Sequence, residues 1–194
     1  MSKAEQTKAF ILKNTAAIFN TKGFQGTSLS DLTIATGLTK GSIYGNYANK
    51  DEVALAAFDY NFQKLEELFT MQLAKHTTAK NKILAYADIY DGFTRATFPE
   101  GGCPILNTAI EADDTHPALK QKAAAALNTW KNNLMLLIEK GKLDKEFNKN
   151  TDAEKAALAI IATLEGGLMI AKLMGKSTYR HAIIDNFKTM VNNF

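Results

Sequence analysis

Few residues in this 194-residue chain could do chemistry, and they are scattered. The single cysteine, Cys103 in "EGGCPIL", sits at an expected helix start, where the dipole favours a thiolate able to meet oxidants or electrophiles. The plainer reading is a small buried apolar residue. Glu111, Asp113, Asp114 and His116 gather in "EADDTHP", which holds oxygen and nitrogen donors of the kind a metal takes. The same stretch also suits a solvated loop in which Asp114 or Thr115 caps the helix opening at Pro117. His76 and His181 stand apart, with no HxxxH pair. No Ser-His-Asp set, P-loop or GxGxxG pattern is found, so no catalytic residue, metal or cofactor is assigned and the chain is read as a non-enzyme. Glu165, in the apolar run "TLEGGLMIA", is a carboxylate headed for burial, which requires a partner: a polar or cationic ligand, or a lysine.

The chain as a whole narrows the alternatives. Hydrophobic residues make up 46% and charged residues 22%, ordinary for a globular protein. A net charge of +3 permits a nucleic-acid partner without arguing for one. One cysteine excludes an internal disulfide and any CxxC site. The opening "MSKAEQTKAF" has no apolar core, and no apolar run approaches the ~18 residues of a membrane span. A cytoplasmic, non-membrane protein is expected.

Helical periodicity dominates, and the only prolines are Pro99, Pro104 and Pro117. The expected class is all-α, with about nine helices. The first spans 3–21 and stops at Gly23. Ser28 and Asp31 have capping-box spacing and open a second helix that ends at Gly37. Thr39 caps a short third helix, and "NKDE" opens a fourth reaching 76. Others are expected over 79–96, 104–112, 117–140 with Gly141 as the stop, 152–174 and 177–193. The first three read as a helix-turn-helix domain, residues 1–48, and the remainder, 49–194, as a larger helical ligand-binding and dimerisation domain.

The second and third helices meet at Gly37-Leu38, a helix-turn-helix joint. In "GLTKGSIYGNY", Ile43 and Tyr47 lie four apart and anchor the third helix inward. At about 100° per residue, Gly41 and Gly45 fall on the opposite side. Lys40, Ser42, Tyr44 and Asn46 border them. A small, polar outer face suits a helix entering a major groove ~12 Å wide.

The stretch "ILKNTAAIFNTKGFQGTSLSDLTIATGLTKGSIYGNYANKDEV" resembles the DNA-binding domain of the tetracycline-repressor (TetR) family of bacterial transcription regulators. The likeness is carried by Ile11-Leu12, Ala16, Phe19, Gly23-Phe24, Thr27-Ser28, Leu32, Gly37, Gly41, Ile43-Tyr44, Tyr47 and Lys50. It implies that Thr27 and Ser28 touch phosphate at the start of the second helix. Thr39, Lys40 and Ser42 would face bases and phosphates, with Tyr44 and Lys50 on phosphate. Gly45 and Asn46 depart from the family pattern. Residue 45 has no side chain to read with, while Asn46 has the groups to hydrogen-bond adenine.

"TLEGGLMIAKLMG" and the final helix resemble the family's dimerisation helices. Leu164, Leu168, Ile183, Phe187 and Met190 are the expected homodimer contacts, with Gly166-Gly167 permitting close approach. The resemblance also implies a small-molecule inducer. Phe62, Tyr86, Tyr90, Phe93, Cys103, Trp130, Met135, Glu165 and Met169 are the pocket candidates. The expected function is a regulator, a repressor released from a palindromic double-stranded DNA operator when the inducer binds. Two alternatives stand beside it: a redox or electrophile sensor acting through Cys103, and a helical ligand-binding or enzymatic domain whose helix-turn-helix is incidental.

Overall fold

The 3.6-residue periodicity resolves into nine helices, without a strand among the described residues, in a computed structural model that describes residues 2–194. They are α1 (Lys3–Gly26), α2 (Leu29–Thr36), α3 (Lys40–Tyr44), α4 (Lys50–Leu73), α5 (Ala79–Asp91), α6 (Pro104–Ala112), α7 (Pro117–Leu143), α8 (Ala153–Met174) and α9 (Ser177–Asn192). Gly23 breaks α1 with φ 74°, ψ 177°, and one further turn follows it. Gly37 closes α2 in the left-handed conformation that glycine adopts without cost.

Two helix ends differ from expectation. α5 stops at Asp91 rather than near 96, giving way to turns. α7 runs through Gly141 to Leu143. Gly141 is not a stop but a clearance, because a Cβ there would collide with the Phe147 ring.

The chain divides into two compact units. The first comprises the residues up to Leu65 together with Pro99–Ala126. Its core joins Ile11, Ala16 and Phe19 of α1 to Leu32 of α2, Ile43 of α3, Tyr47, and Val53, Ala54 and Ala57 of α4. Isolated helices as short as α2 and α3 are marginal in water, so burial of Leu32 and Ile43, each fully excluded from solvent, must hold them. The Asn61 amide ties α4 to α1 by donating to the Ala16 carbonyl at 2.8 Å.

The second unit comprises Glu66–Phe98 and Leu127–Phe194. Here α8 and α9 pack as a pair against α5. α8 has the length and mean hydropathy, 1.7 over its best window, that a membrane span requires. Its apolar side is nonetheless occupied, with Ala157, Ile160, Leu164 and Leu168 buried in the unit's own core.

Candidate DNA-reading face and buried aromatic core

Short helices need their loose amides satisfied, and in the first unit side chains do this. The Ser28 hydroxyl accepts from Asp31 N–H at 3.1 Å, and the Asp31 carboxylate accepts from Ser28 N–H at 2.8 Å, a reciprocal capping box. Lys22 donates to Asp31 at 2.6 Å. That bond, then the Ser28 amide and hydroxyl, hold the Asp31 carboxyl well below its usual value of 3.8. Thr39 accepts from Ser42 N–H at 3.1 Å and starts α3.

Thr39, Lys40, Gly41 and Gly45 are exposed on α3 and its ends, with Ser42 half-buried beside them. Ile43 and Tyr47 face the core, and the Tyr47 hydroxyl donates to the Lys8 carbonyl. A Cβ at Gly41 would meet nothing nearer than the Thr39 hydroxyl at 3.9 Å. Neither Gly41 nor Gly45 has positive φ. Neither backbone conformation nor packing within the chain therefore accounts for the glycine at 41.

Other sequence candidates are placed differently. Thr27 is fully buried and its hydroxyl donates to the Gly23 carbonyl at 2.6 Å, so the expectation of a Thr27 phosphate contact is corrected: that hydroxyl closes the end of α1. Asn46 turns its amide back to the Ser42 carbonyl at 2.9 Å, which takes one of its two N–H donors. Tyr44 is half-buried and packs on the core. The Lys50 ammonium lies 4.4 Å from the Phe24 ring centroid, a cation–π contact. Ile34, 79% exposed on α2, escaped sequence reasoning, since an apolar residue in an amphipathic helix reads as core.

The residues of "EADDTHP" go to separate partners. Glu111 accepts from Phe24 and Gln25 N–H, and His116 Nε2 lies 3.0 Å from Asp51. His116 Nδ1, rather than Asp114 or Thr115, accepts the Leu119 N–H in the first turn of α7.

The second unit holds an aromatic cluster. Phe69, Tyr86, Tyr90, Phe98 and Trp130 pack with neighbouring ring centroids 4.9–6.4 Å apart. The Tyr90 hydroxyl donates to Glu165 Oε1 at 2.6 Å. A buried carboxylate requires a partner, and here a phenol supplies it. Burial pushes the Tyr86 phenol above its usual range. The Trp130 indole N–H is buried without a well-formed hydrogen bond, although it lies near enough to the Tyr86 hydroxyl to oppose that upward push. Tyr90, Phe93, Leu168, Arg180 and Ile184 line a cleft of about 10 Å³, room for roughly one water. Arg180 pairs there with Asp91 at 2.7 Å.

Tyr86, Tyr90, Phe93, Trp130 and Glu165 thus share the second unit, with Met135 half-buried on α7. Phe62 and Cys103 belong to the first unit and are not part of this cluster. Cys103 lies fully buried before α6 and caps no amide with its sulfur. Met169 is 47% exposed, so its expected place in a pocket is corrected. Three of the five expected dimer contacts are corrected likewise. Leu164, Leu168 and Phe187 are buried within their own chain because α8 and α9 pack on each other. Gly167 serves that packing, since a Cβ would stand 2.7 Å from Ile183 Cγ2, whereas Gly166 faces open space. Ile183 and Met190 are half-buried.

Sequence and structural comparisons bear on this arrangement. Residues 11–57 match the family model described as bacterial regulatory proteins, tetR family, and residues 79–187 match the tetracyclin repressor-like C-terminal domain. The chain belongs to the TetR family. The TetR regulator of Cytophaga hutchinsonii is 45% identical, with 98% of this chain and 96% of that one covered and a TM-score of 0.96. A TetR regulator from Chloroflexus aurantiacus J-10-FL is 38% identical, with the same coverage and a TM-score of 0.92. The HTH-type transcriptional regulator TtgR of Pseudomonas putida is 26% identical over 175 residues, 84% of this chain and 79% of that protein. The all-helical TetR fold, with its helix-turn-helix ahead of a larger helical part, makes this chain a DNA-binding transcription regulator.

Proposed function

We propose that this TetR-family chain works in the cytoplasm as a homodimeric repressor, leaving a palindromic operator when a small molecule opens the aromatic core of its second unit. The observation that carries the reading is the outer face of α3. Thr39, Lys40, Gly41 and Gly45 are exposed on a helix whose other side is anchored by Ile43. On this reading residues 1–48 read DNA and residues 49–194 sense and dimerise. Ser28, Thr39, Lys40 and Ser42 make the polar contacts, and the bare glycines let the backbone approach base edges.

Pairing is required because one small reader binds a half-site weakly. The surface that supports it is an apolar stripe on the outside of α8: Leu158, Ala162, Gly166, Met169 and Leu173, at spacings of three and four. Tyr179, Ile183 and Met190 supply the matching side of α9. The cleft beside Tyr90 is far below the ~300 Å³ of a formed ligand pocket, so the closed core is the DNA-competent state and the inducer selects an opened one. α4 begins beside the reader and ends within the second unit, which makes it the route of coupling. Cys103 is shut away from oxidants, so no observation favours the redox reading.

The test is titration of the full chain onto a palindromic duplex at several salt concentrations. Affinity should fall steeply with salt, and Lys40→Ala should lower the slope by about one. A slope near zero for the parent chain defeats the reading.

A further inference from the structure

One half-buried link holds α6 to α1, and nothing in the DNA-reading assignment uses it. At the break in α1, the N–H groups of Phe24 and Gln25 point out of the helix towards a common side. Both are taken by the Glu111 carboxylate of α6: Phe24 N–H donates to Oε2 and Gln25 N–H to Oε1, each at 2.8 Å. Successive amides of this kind form an anion-binding concavity, and here the anion is the protein's own. The local backbone is shaped for it. Gly23 has φ 74°, and any Cβ there would fall inside the Glu111 carboxylate. At the other end of α6 the same helix pair is held again. The Asn20 amide donates to the carbonyls of Glu100 and Gly102, at 2.6 and 2.9 Å, and the Asn107 amide donates to the carbonyls of Asn20 and Gly101. Gly101 is obligatory there, with φ 89° and the Asn20 carbonyl oxygen 2.8 Å from where its Cβ would be. Thus α6 is pinned to α1 at both ends.

The position of the Glu111 link matters more than its number of bonds. Phe24 and Gln25 are followed within three residues by Ser28, the cap of α2, and the Thr27 hydroxyl binds back to Gly23. The bend at Gly23 therefore sets the direction in which the helix-turn-helix leaves α1, and Glu111 holds that bend. We infer that Glu111 is a positioning residue for DNA recognition: it touches no DNA, and it fixes the angle at which the reading helix meets its half-site. The inference rests on the DNA-reading and homodimer assignments above.

In a dimer that reads two half-sites, an error in head angle shows as lost preference for half-site spacing rather than as weaker binding everywhere. The experiment uses the full chain and a palindrome selected on it from random duplexes. Affinities are measured by fluorescence anisotropy at the selected spacing and with one base pair added or removed, and thermal unfolding is followed alongside. The parent chain should prefer one spacing by roughly tenfold, the scale of one charge-assisted hydrogen bond. Glu111→Ala should flatten that preference to within about twofold. Glu111→Gln, which keeps an acceptor oxygen for one amide, should recover part of it. Gly23→Ala should flatten it too, and the double variant with Glu111→Ala should be no flatter than either single one.

Equal loss of affinity at all three spacings, or no loss, overturns the assignment and leaves Glu111 a purely structural residue. If Glu111→Ala does not fold, Glu111→Gln decides: a preference unchanged from the parent overturns it. A parent chain that binds all spacings alike removes the head-angle role while leaving DNA binding intact. A parent chain with no salt-dependent binding removes the DNA reading itself.

Discussion

In the first unit, Ser28, Thr39 and Asn49 each tie down a helix start by accepting from an amide three residues ahead. In the second, Tyr90 reaches 75 residues along the chain to Glu165, and the rings around it come from α4, α5 and α7. The reader is thus a set of short, locally capped helices held by a small core, with one face left bare. The second unit is a set of long helices whose polar group is enclosed and whose apolar surface is mostly spent on itself. A bare face can meet a fixed partner such as DNA without rearranging. A closed core must open before it can hold anything. The difference accords with the proposal that the first unit recognises DNA and the second responds.

That comparison breaks if the second unit does not depend on its long-range packing. Phe187→Ala should cost about 3–5 kcal/mol of unfolding free energy, because the ring is fully enclosed. Chemical denaturation should show an unfolding midpoint far below that of the parent. A loss below about 1 kcal/mol would mean that Phe187 is not core, and would return it to the dimer surface.

Tyr90→Phe sharpens the comparison at one bond. It takes a donor from the buried Glu165 carboxylate and should cost about 1–3 kcal/mol. Isothermal denaturation measures it. Operator affinity of the folded fraction should fall as well, since the closed core is the DNA-competent state in the proposed function, while the salt slope set by the reader's own contacts should stay the same.

Gly41→Ala should act in opposite directions on stability and binding. With open space at its Cβ, alanine should stabilise the reader by up to about 1 kcal/mol while weakening operator binding. Thermal unfolding and anisotropy titration on the same sample separate the two. Tighter binding by the alanine variant would show that the bare face is not the DNA face.

The smallest expected effect is acid sensitivity of the α2 cap. The Asp31 carboxyl is held below 3.8 in the folded chain, so the unfolded chain binds the proton first as pH falls. The contribution of the cap is complete above the unfolded value and is lost on descending through it towards the folded one. Asp31→Asn should remove that part of the stability loss between about pH 5 and pH 2, read from unfolding midpoints against pH.

What could be read ahead of the structure follows the range of each interaction. The starts of α2, α3 and α4, the break at Gly23 and the end of α2 at Gly37 rest on contacts within four residues, and all were legible. So was the inward Ile43–Tyr47 pair, since helical geometry alone places it. The Thr27 hydroxyl had two uses, outward to a phosphate or back to the carbonyl four residues earlier, and only its burial in the packed unit selects the second. Gly141 was misread as a stop for a similar reason. Its role depends on Phe147, and a glycine that clears a ring has the same local signature as one that ends a helix. The split of Leu164 and Leu168 from Met169 and Leu173 was likewise hidden. All four suit an apolar helix, and which side faces α9 depends on how the pair is rotated.

By itself, then, the amino-acid order determined the helices, the caps that open α2, α3 and α4, the reading head and the family likeness, because these depend on neighbours along the chain. The tertiary structure alone decided that Glu165 meets Tyr90, that Glu111 fills the amide pair at the α1 break, and that the outer stripe of α8 runs through Met169 and Leu173. Those outcomes depend on how helices distant in sequence are turned towards one another, and side-chain chemistry along a single helix does not contain that rotation.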